Sequence, residues 1–336
     1  MHLTFILCMF IQLCWTKIID KSNTNYLKKS HSLEQVTSTF GLSEGPHWDV
    51  HSQKLYFVQI WKQHICSYNP ATGEVFYAFI KNGPVSLVTT VEGEPGKLLA
   101  TSGTDIVLVT WNGENNDENP EIKLLISVEK GKKGFRFNDG KVDAIGRLWA
   151  GTMCQIDEKN IPEVGSLYII DEKLDPKVKI SSVSISNGLE WSKDNKNFYF
   201  IDTTTNKVFA YDFDLPSGNI SNKRIIIDVK EKGFQGFPDG MTIDTDGNLW
   251  IALVHGSKLI RVDPENGKVL KVIDFPTKMV TSVAFGGVDL DILYVTTASY
   301  DFPTKIIDAK GGTIFALKNL GVKGYPPNSF KLNKQF

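Results

Sequence analysis

A short apolar strand signal recurs six times along this chain of 336 residues, and it limits the fold more than any other feature. The copies begin at Leu55, Leu98, Leu148, Phe198, Leu249 and Leu293. A spacing of about 45 to 50 residues is typical of architectures built from repeated supersecondary units. Each copy follows a polar turn and an earlier strand. A third strand and, in most repeats, a fourth β-branched strand come after it. Four strands with three tight connections make one propeller blade. The sequence therefore predicts an all-β fold, a six-bladed β-propeller with four-stranded antiparallel blades.

The sixth repeat lacks an outer strand of its own. After the strand near Thr313 the chain continues into GVKGYPPNSF, whose two prolines are poorly suited to a central strand. We expect Leu33 to Thr39 to supply the missing strand by pairing with residues 313–317, so that an N-terminal strand closes the ring. The continuous repeat predicts a single propeller domain over residues 33–325, with residues 326–336 as a C-terminal tail.

The first strand of each propeller blade lines the central channel, so residues about ten positions upstream of each signal are expected to converge there. These residues are Glu44, Ser86 with Leu87, Asn138 with Asp139, Asn187, Asp239 and Ser282. Several of them are followed by glycine, which allows neighbouring backbone to approach closely. The pattern predicts a set of carboxylates, amides and hydroxyls at one mouth of the channel.

An oxygen-rich set of this kind suits a hard divalent cation, because such ions prefer carboxylate, carbonyl and water ligands. Glu44, Asn187 and Asp239 are the predicted ligands, and the two carboxylates bring two negative charges. The predicted cofactor is one divalent metal cation, chosen among Ca, Mg, Mn and Zn. The alternative is that acidic residues at strand ends only solvate the rim of the channel.

Five segments resemble the family of regucalcin, gluconolactonase and luciferin-regenerating enzyme, in the family's order and across residues 34–325. They are GLSEGPHWD, RFNDGKVDAIGRLWAGTM, SNGLEWS, FPDGMTIDTDGNLWIA, and TSVAFGG followed by LYVTTA. The ending NLGVKGY looks most like the insect luciferin-regenerating branch. The resemblance implies a six-bladed propeller with one divalent metal on Glu44, Asn187 and Asp239. It also implies that Arg136 and Asn138 contact the substrate.

Residues and resemblance together predict a metal-dependent hydrolase of small cyclic esters, a lactonase similar to gluconolactonase. Asp239 is the expected catalytic base, since it is a ligand and the nearest carboxylate to the attacking water. Arg136 is expected to bind an anionic or hydroxyl substituent through its fork of donors, and Asn138 to orient the substrate. Asp139 is expected to support this substrate-binding group from behind. The alternative for Arg136 is a solvated loop cation that follows the run from Lys130 to Lys133.

One departure from the family pattern concerns substrate polarity. Vertebrate regucalcins resemble this chain up to Gly-Thr-Met but then carry an acidic residue where this chain has Cys154, Gln155 and Ile156. A less polar wall and a more apolar substrate follow, unless Asp157 or Glu158 fills the position. Two other functions stay open: a luciferin-regenerating type of enzyme acting on a heteroaromatic small molecule, and a non-enzymatic calcium- or small-molecule-binding protein.

The N-terminus differs in kind from the repeats. Leu3 to Trp15 form an apolar run of the length found in signal peptides, too short to span a bilayer comfortably. We expect residues 1–17 to be a signal peptide and the protein to be secreted, or cytoplasmic if this run is not a signal. The single sequon Asn219-Ile-Ser221 agrees with export. Cys66 and Cys154 are expected to be free thiols.

The charge balance limits the expected partners. The net charge is −1, and neither a basic stripe nor an RNA-binding motif is present, which excludes the usual nucleic-acid-binding classes. The expected partner is a small-molecule substrate, with no membrane and no obligate protein partner.

Overall fold

The structure is a computed structural model that describes residues 31–155, 161–301, 305–306 and 308–333. The predicted signal peptide and the positions Ile156 to Glu158 lie outside the described residues. The described residues are all-β: they form 26 strands and one 3-10 turn, Thr203–Thr205. Among them, no helix has the length and apolar character needed to cross a bilayer.

Most strands are grouped in four-stranded antiparallel sheets, preceded by strand β1 (Ser32–Gln35). The first sheet consists of β2 (Ser43–Asp49), β3 (Lys54–Gln59), β4 (His64–Tyr68) and β5 (Val75–Phe79). The second consists of β6 (Val88–Thr90), β7 (Lys97–Ser102), β8 (Asp105–Thr110) and β9 (Glu121–Ser127). The third consists of β10 (Phe135–Val142), β11 (Leu148–Cys154), β12 (Gly165–Ile170) and β13 (Pro176–Val183). The fourth consists of β14 (Ser186–Trp191), β15 (Asn197–Asp202), β16 (Lys207–Asp214) and β17 (Asn219–Asp228).

The remaining strands form one eight-stranded sheet and a short hairpin. The first half of the large sheet holds β18 (Phe237–Ile243), β19 (Leu249–Val254), β20 (Lys258–Asp263) and β21 (Lys268–Asp274). The second half holds β22 (Met279–Gly286), β23 (Ile292–Ala298), β26 (Ile314–Lys318) and β1. The hairpin is β24 (Tyr300–Asp301) with β25 (Lys305–Ile306). A single residue pair between β19 and β22, Val254 with Met279, joins the two halves.

The N-terminal strand pairs with the end of the chain's last strand. β1 runs antiparallel to β26 with Leu33 opposite Leu317 and Gln35 opposite Phe315. The backbone amide of Val36 continues the ladder by donating to the carbonyl of Ile314 at 2.9 Å. The sequence predicts this pairing, but over Leu33 to Thr39, whereas the strand begins one residue earlier, at Ser32, and ends at Gln35.

All six apolar signals lie in the second strand of a group: β3, β7, β11, β15, β19 and β23. These strands are buried along nearly their whole length, as a strand between two others requires. Two of the turns that precede them are built around a buried aspartate. The Asp244 carboxylate accepts from the Trp250 indole at 2.8 Å and from Arg261 Nε at 2.7 Å. The Asp143 carboxylate likewise accepts from the Trp149 indole and from Nε of Arg147.

The core of the described residues consists of six hydrophobic clusters, and five of them lie between strand groups that follow one another in the chain. The sixth cluster joins the first sheet to the last strands, with Trp48 stacked on Tyr294 at 5.6 Å between ring centroids. The hydroxyl of Thr281 in β22 also donates to the carbonyl of Ser43 in β2 at 2.7 Å. The first and last groups of strands therefore pack together directly. Cys66 and Cys154 are free and buried, as predicted.

The C-terminal segment is held in place by backbone hydrogen bonds to several sheets. The amide of Gly324 donates to the carbonyl of Leu290, and the Lys323 carbonyl accepts from Thr245. Further along, Phe330 exchanges backbone bonds with the second sheet, and its side chain is fully buried in the cluster between the second and third sheets. Residues 323–331, which we call the C-terminal strap, thus cross from one side of the molecule to the other.

Candidate functional site

The predicted site residues lie at one level of the inner strands, where the strand ladders are interrupted. Glu44 lies on β2, Asn138 on β10, Asn187 on β14 and Asp239 on β18. The pairing of each of these strands with its neighbour shifts register at or beside the named residue. A β-bulge bends the strand and re-aims a side chain, and bulges are over-represented beside active sites. The bulges therefore turn these side chains out of the regular ladder.

Two glycines explain why neighbouring inner strands approach so closely at this level. A Cβ on Gly188 would lie 2.8 Å from the carbonyl oxygen of Asp239. A Cβ on Gly240 would lie 2.0 Å from the Ser282 hydroxyl. Any larger residue would push the strands apart. The Asn-Gly and Asp-Gly dipeptides thus bring Asn187 and Asp239 next to the adjacent strand.

A cavity of about 510 Å³ opens at this level. The predicted residues that line it are Glu44, Arg136, Asn138, Asn187 and Asp239. Apolar side chains form much of the remaining wall: Leu42, Ile60, Trp61, Met153, Ile161, Ile185, Phe237, Val254 and Met279. The cavity therefore has a charged part and an apolar part.

Several residues that the sequence predicts at the mouth of the channel do not line the cavity. Asp139 is not part of the cavity wall, although its charge acts on Glu44 and Asp239. In the second repeat, Leu87 packs into a hydrophobic cluster and the Ser86 hydroxyl donates to the carbonyl of Phe137. In the sixth repeat, Thr281 rather than Ser282 reaches the cavity. The register shift between Val280 and Ser282 moves the side chains by one position.

Burial destabilises the charged forms of three carboxyl groups at this level, and neighbouring carboxylates add to this for Glu44 and Asp239. Burial and, next, the charge of Asp139 raise the pKa of Glu44 to about 8. Burial raises the pKa of Asp139 to about 6. Burial and the charges of Glu44 and Asp139 raise the pKa of Asp239 well above its usual value. The charge of Arg136 opposes the rise at Glu44 and Asp239, and the charge of Lys141 opposes it at Asp139.

The guanidinium of Arg136 is held by its own strand. Nη1 donates to the carbonyl of Phe137 at 2.9 Å and to Oδ1 of Asn138 at 2.7 Å. The Asn138 amide in turn donates through Nδ2 to the carbonyl of Ser186 at 2.9 Å. Nε of Arg136 is buried and has no hydrogen-bond partner, and burial lowers the pKa of the guanidinium to about 10. Asn138 therefore positions Arg136, and it also ties β10 to β14.

The amide of Asn187 is oriented by a neighbouring hydroxyl. Nδ2 of Asn187 donates to Oγ1 of Thr203 at 2.8 Å, and Thr203 donates to the carbonyl of Pro238 at 3.0 Å. Interaction with Asn187 also opposes the rise in the pKa of Asp239. Oδ1 is left as the atom of Asn187 that is available to a ligand.

The chemistry of this donor set fits a divalent cation. Glu44 and Asp239 supply carboxylate oxygens, and Asn187 supplies an amide oxygen, all of which are ligands that hard cations prefer. A cation would also neutralise the buried negative charge that the pKa shifts reveal. Among the described residues, no group of three or more His, Cys, Asp or Glu side chains is placed to hold a metal. The candidate set consists of two carboxylates and an amide.

The sequence gives no signal for several side chains at the site. Thr203 follows the second strand of its sheet, where the repeat predicts nothing. Trp61 packs over Arg136, with the guanidinium carbon 5.6 Å from the ring centroid. His255 contacts Phe237 edge-on at 6.5 Å and lines the cavity. All three residues lie in connections or at strand ends, outside the periodic pattern.

The sequence and the fold are similar to those of known proteins. Residues 42–299 match the family model described as SMP-30/Gluconolactonase/LRE-like region. Regucalcin of Oryctolagus cuniculus is 40% identical over 294 residues, which are 85% of this chain and 94% of the relative. A solved luciferin-regenerating enzyme has a TM-score of 0.85 and 35% identity, covering 90% of this chain and 100% of that one. A solved calcium-binding protein, regucalcin from Agrobacterium tumefaciens, has a TM-score of 0.77 and 25% identity, covering 90% and 98%.

These similarities define the class of protein as all-β and propeller-like. Within that class, the chain belongs to the family of SMP-30, gluconolactonase and luciferin-regenerating enzyme, whose members are lactonase-like.

Proposed function

We propose that this protein is a divalent-metal-dependent hydrolase of small cyclic esters, with its metal at the mouth of the propeller channel. The observation that carries the proposal is the pair Glu44 and Asp239: burial and neighbouring carboxylates raise the pKa of both, and the charge of Arg136 offsets this only in part. A structure does not retain such repulsion for stability, and strongly perturbed groups in a cavity are typical of functional sites.

The residues that would hold the cation are Glu44, Asn187 and Asp239, and Ca, Mg, Mn and Zn are the candidates. When bound, a divalent cation polarises the ester carbonyl and makes an attacking water more acidic. Asp239 accepts the proton of that water at a carboxylate oxygen. Asp139 remains behind the cavity wall and adds to the negative potential there.

Arg136 and Asn138 would act on the substrate side. The unpartnered Nε of Arg136 supports a role in binding an acceptor oxygen of the substrate. Both ends of the Asn138 amide are already bonded within the protein, so we assign it to positioning Arg136 as well as to contacting the substrate.

The second candidate is an enzyme of the luciferin-regenerating type that acts on a heteroaromatic small molecule. It is favoured by the similarity to the solved luciferin-regenerating enzyme. The apolar wall, which includes Trp61, Met153 and Phe237, is also suited to an aromatic ring. A third candidate, a calcium-binding protein without turnover, takes support from the similarity to the calcium-binding regucalcin of Agrobacterium tumefaciens.

We further propose six blades, closed by β1, within a single domain over residues 33–325. The six packing clusters and the pairing of β1 with β26 support this arrangement. The single pair between Val254 and Met279 would then be an edge contact between two separate blades. Secretion through a signal peptide over residues 1–17 stays a proposal, as does the absence of membrane, nucleic-acid and obligate protein partners.

The test is hydrolysis of a panel of aldonolactones and aromatic lactones by metal-stripped protein, with each of the four cations restored one at a time. Metal-restored turnover supports the hydrolase. Preference for aromatic over sugar lactones indicates that the apolar wall selects the substrate. Tight binding of one cation without turnover on any lactone or heteroaromatic compound contradicts both enzyme proposals and favours the binding protein.

A further inference from the structure

We propose that Thr203 is a positioning residue of the metal site. Its hydroxyl fixes the Asn187 amide with Oδ1 available to a cation, and this sets the cation affinity. The inference rests on the proposed function, because it assigns Asn187 to the metal. Thr203 lies in the 3-10 turn that follows β15, and its side chain is buried beside the cavity.

The direction of the hydrogen bonds follows from the chemistry of the groups. The carbonyl of Pro238 is only an acceptor, so the single hydrogen of the Thr203 hydroxyl is donated to it at 3.0 Å. The Thr203 oxygen must therefore accept from Asn187, and only the nitrogen of that amide is a donor. A flipped amide would place two acceptors against each other.

The same bonds connect the two predicted metal-binding strands. Asn187 lies on β14, and Pro238 precedes Asp239 on β18. Thr203 thus holds the amide of one ligand and the backbone next to another. Groups that orient metal ligands typically change metal affinity by about 10- to 100-fold when they are removed.

The test compares three variants of the full chain. Thr203→Val keeps the shape but removes the hydroxyl, and we expect it to weaken Ca²⁺ binding by about 10-fold or more in titration calorimetry. Thr203→Ser keeps the hydroxyl and should stay within about twofold of the parent. Thr205→Val is the matched control, since Thr205 lies in the same turn and donates to the carbonyl of Asp202 instead. Unchanged affinity in Thr203→Val would overturn the inference.

A second readout separates this inference from the proposed function. If the parent protein binds none of the four cations, the metal proposal fails by itself. The Asn187 side-chain amide can still be followed by NMR without any cation. We expect slow hydrogen exchange in the parent and in Thr203→Ser, and fast exchange in Thr203→Val. Equal exchange in all three proteins would mean that Thr203 does not hold the amide.

An independent observation concerns the outer face of the fourth sheet. We infer that Asn219 is an N-glycosylation site. Asn219 and Ser221 are exposed, whereas Ile220 between them packs partly against the core. Alternation along β17 therefore points both sequon side chains outward. β17 is the last strand of its sheet, so its other edge is free of a paired strand.

The position is also compatible with a working site. Asn219 follows the tight turn from Asp214 to Gly218, and its Oδ1 accepts only an exposed bond from Lys179 at 3.2 Å. Three strand spacings, about 14 Å, separate β17 from the inner strand β14. A glycan at Asn219 would extend into solvent on the side away from the cavity.

The test is expression of the full chain in animal cells, followed by treatment with a peptide N-glycosidase. We expect the secreted protein to lose the mass of one glycan, with conversion of Asn219 to aspartate. Ser221→Ala should abolish the glycan, Ser221→Thr should keep it, and Asn222→Gln is the matched control outside the sequon. A full-length product that loses no mass, whether found in the medium or in the cells, would overturn the inference.

Discussion

The two ends of the inner strands differ in whether their buried charges are paired. At one end, Glu44 and Asp239 face a cavity with their charges unbalanced. Three residues further along the same strands, about 10 Å away, the polar groups are paired. Lys141 Nζ donates to Glu190 at 2.8 Å and to the carbonyl of Met241 at 3.1 Å. Glu190 also accepts from Thr242 at 3.3 Å.

The second end is also covered by residues of the C-terminal strap. A smaller cavity of about 200 Å³ remains there, lined in part by His47, Lys141 and residues 325–328 of the C-terminal strap. His47 bonds to Thr90 at 3.0 Å, and Thr90 bonds to Ser329 of the strap at 2.7 Å. The unbalanced charges are therefore a local feature, since the same strands pair the charged side chains of Lys141 and Glu190 where no ligand is proposed. We therefore expect residues at the first end to act in function and residues at the second end to stabilise the fold.

The largest effect, a loss of turnover, is expected when one acidic residue at each end is replaced by its amide and the two variants are compared. Asp239→Asn removes the proposed base and a metal ligand, and we expect turnover to fall by about 10²- to 10⁴-fold. Its stability should not fall, because a buried like-charge repulsion disappears. Glu190→Gln, the matched change at the other end, should lower stability and leave turnover within about twofold. Lactone hydrolysis measures the turnover and urea unfolding measures the stability of each variant. Equal losses of activity in Asp239→Asn and Glu190→Gln would show that the two ends do not differ in function.

The strap gives the next largest effect, on stability. Phe330→Ala empties a fully buried site between the second and third sheets, and we expect a loss of about 3 to 4 kcal/mol in the free energy of unfolding. Leu332→Ala is the control, since Leu332 is only partly buried against the same cluster. Its loss should be about 1 kcal/mol or less. A Phe330→Ala protein as stable as Leu332→Ala would show that the strap does not anchor this end.

The repeat allowed much of this fold to be predicted. All six second strands and the residues Glu44, Asn138, Asn187 and Asp239 follow from periodicity, because inner strands recur at fixed offsets from the apolar signal. Thr203 has no such offset, since it lies in a turn whose position depends on the particular sheet. The course of the strap was also beyond prediction. Its hydrogen bonds use backbone groups, which carry no residue-type signal.

A smaller effect is expected in the pH dependence of stability. Burial lowers the pKa of His47 to about 4, below its ordinary 6.5. The unfolded chain therefore binds more protons between pH 6.5 and 4. The stabilisation that His47 contributes is complete above pH 6.5 and is lost as the pH falls through this window. When the pH falls from 7.5 to 4.5, we expect the free energy of unfolding of the parent to decrease by on the order of 2 kcal/mol more than that of His47→Gln, as measured by urea unfolding. A stability difference between the two proteins that does not change with pH would contradict this assignment. The comparison is needed because Glu44 changes the stability of both proteins with pH in the opposite direction, and this contribution cancels in the difference.

The smallest effect tests whether the paired end is stabilised by its ion pair. Lys141→Met leaves Glu190 with fewer donors, and we expect a loss of about 1 kcal/mol because the lysine is one-third exposed. Adding Glu190→Gln to it should recover part of the loss, since the unpaired charge is then gone. The exposed pair of Lys318 and Glu34 is the matched control, and Lys318→Met should cost less than Lys141→Met. Cation affinity should be unchanged in all of these variants. If Lys141→Met weakened cation binding as strongly as Asp239→Asn does, the two ends would have to be treated as one electrostatic unit.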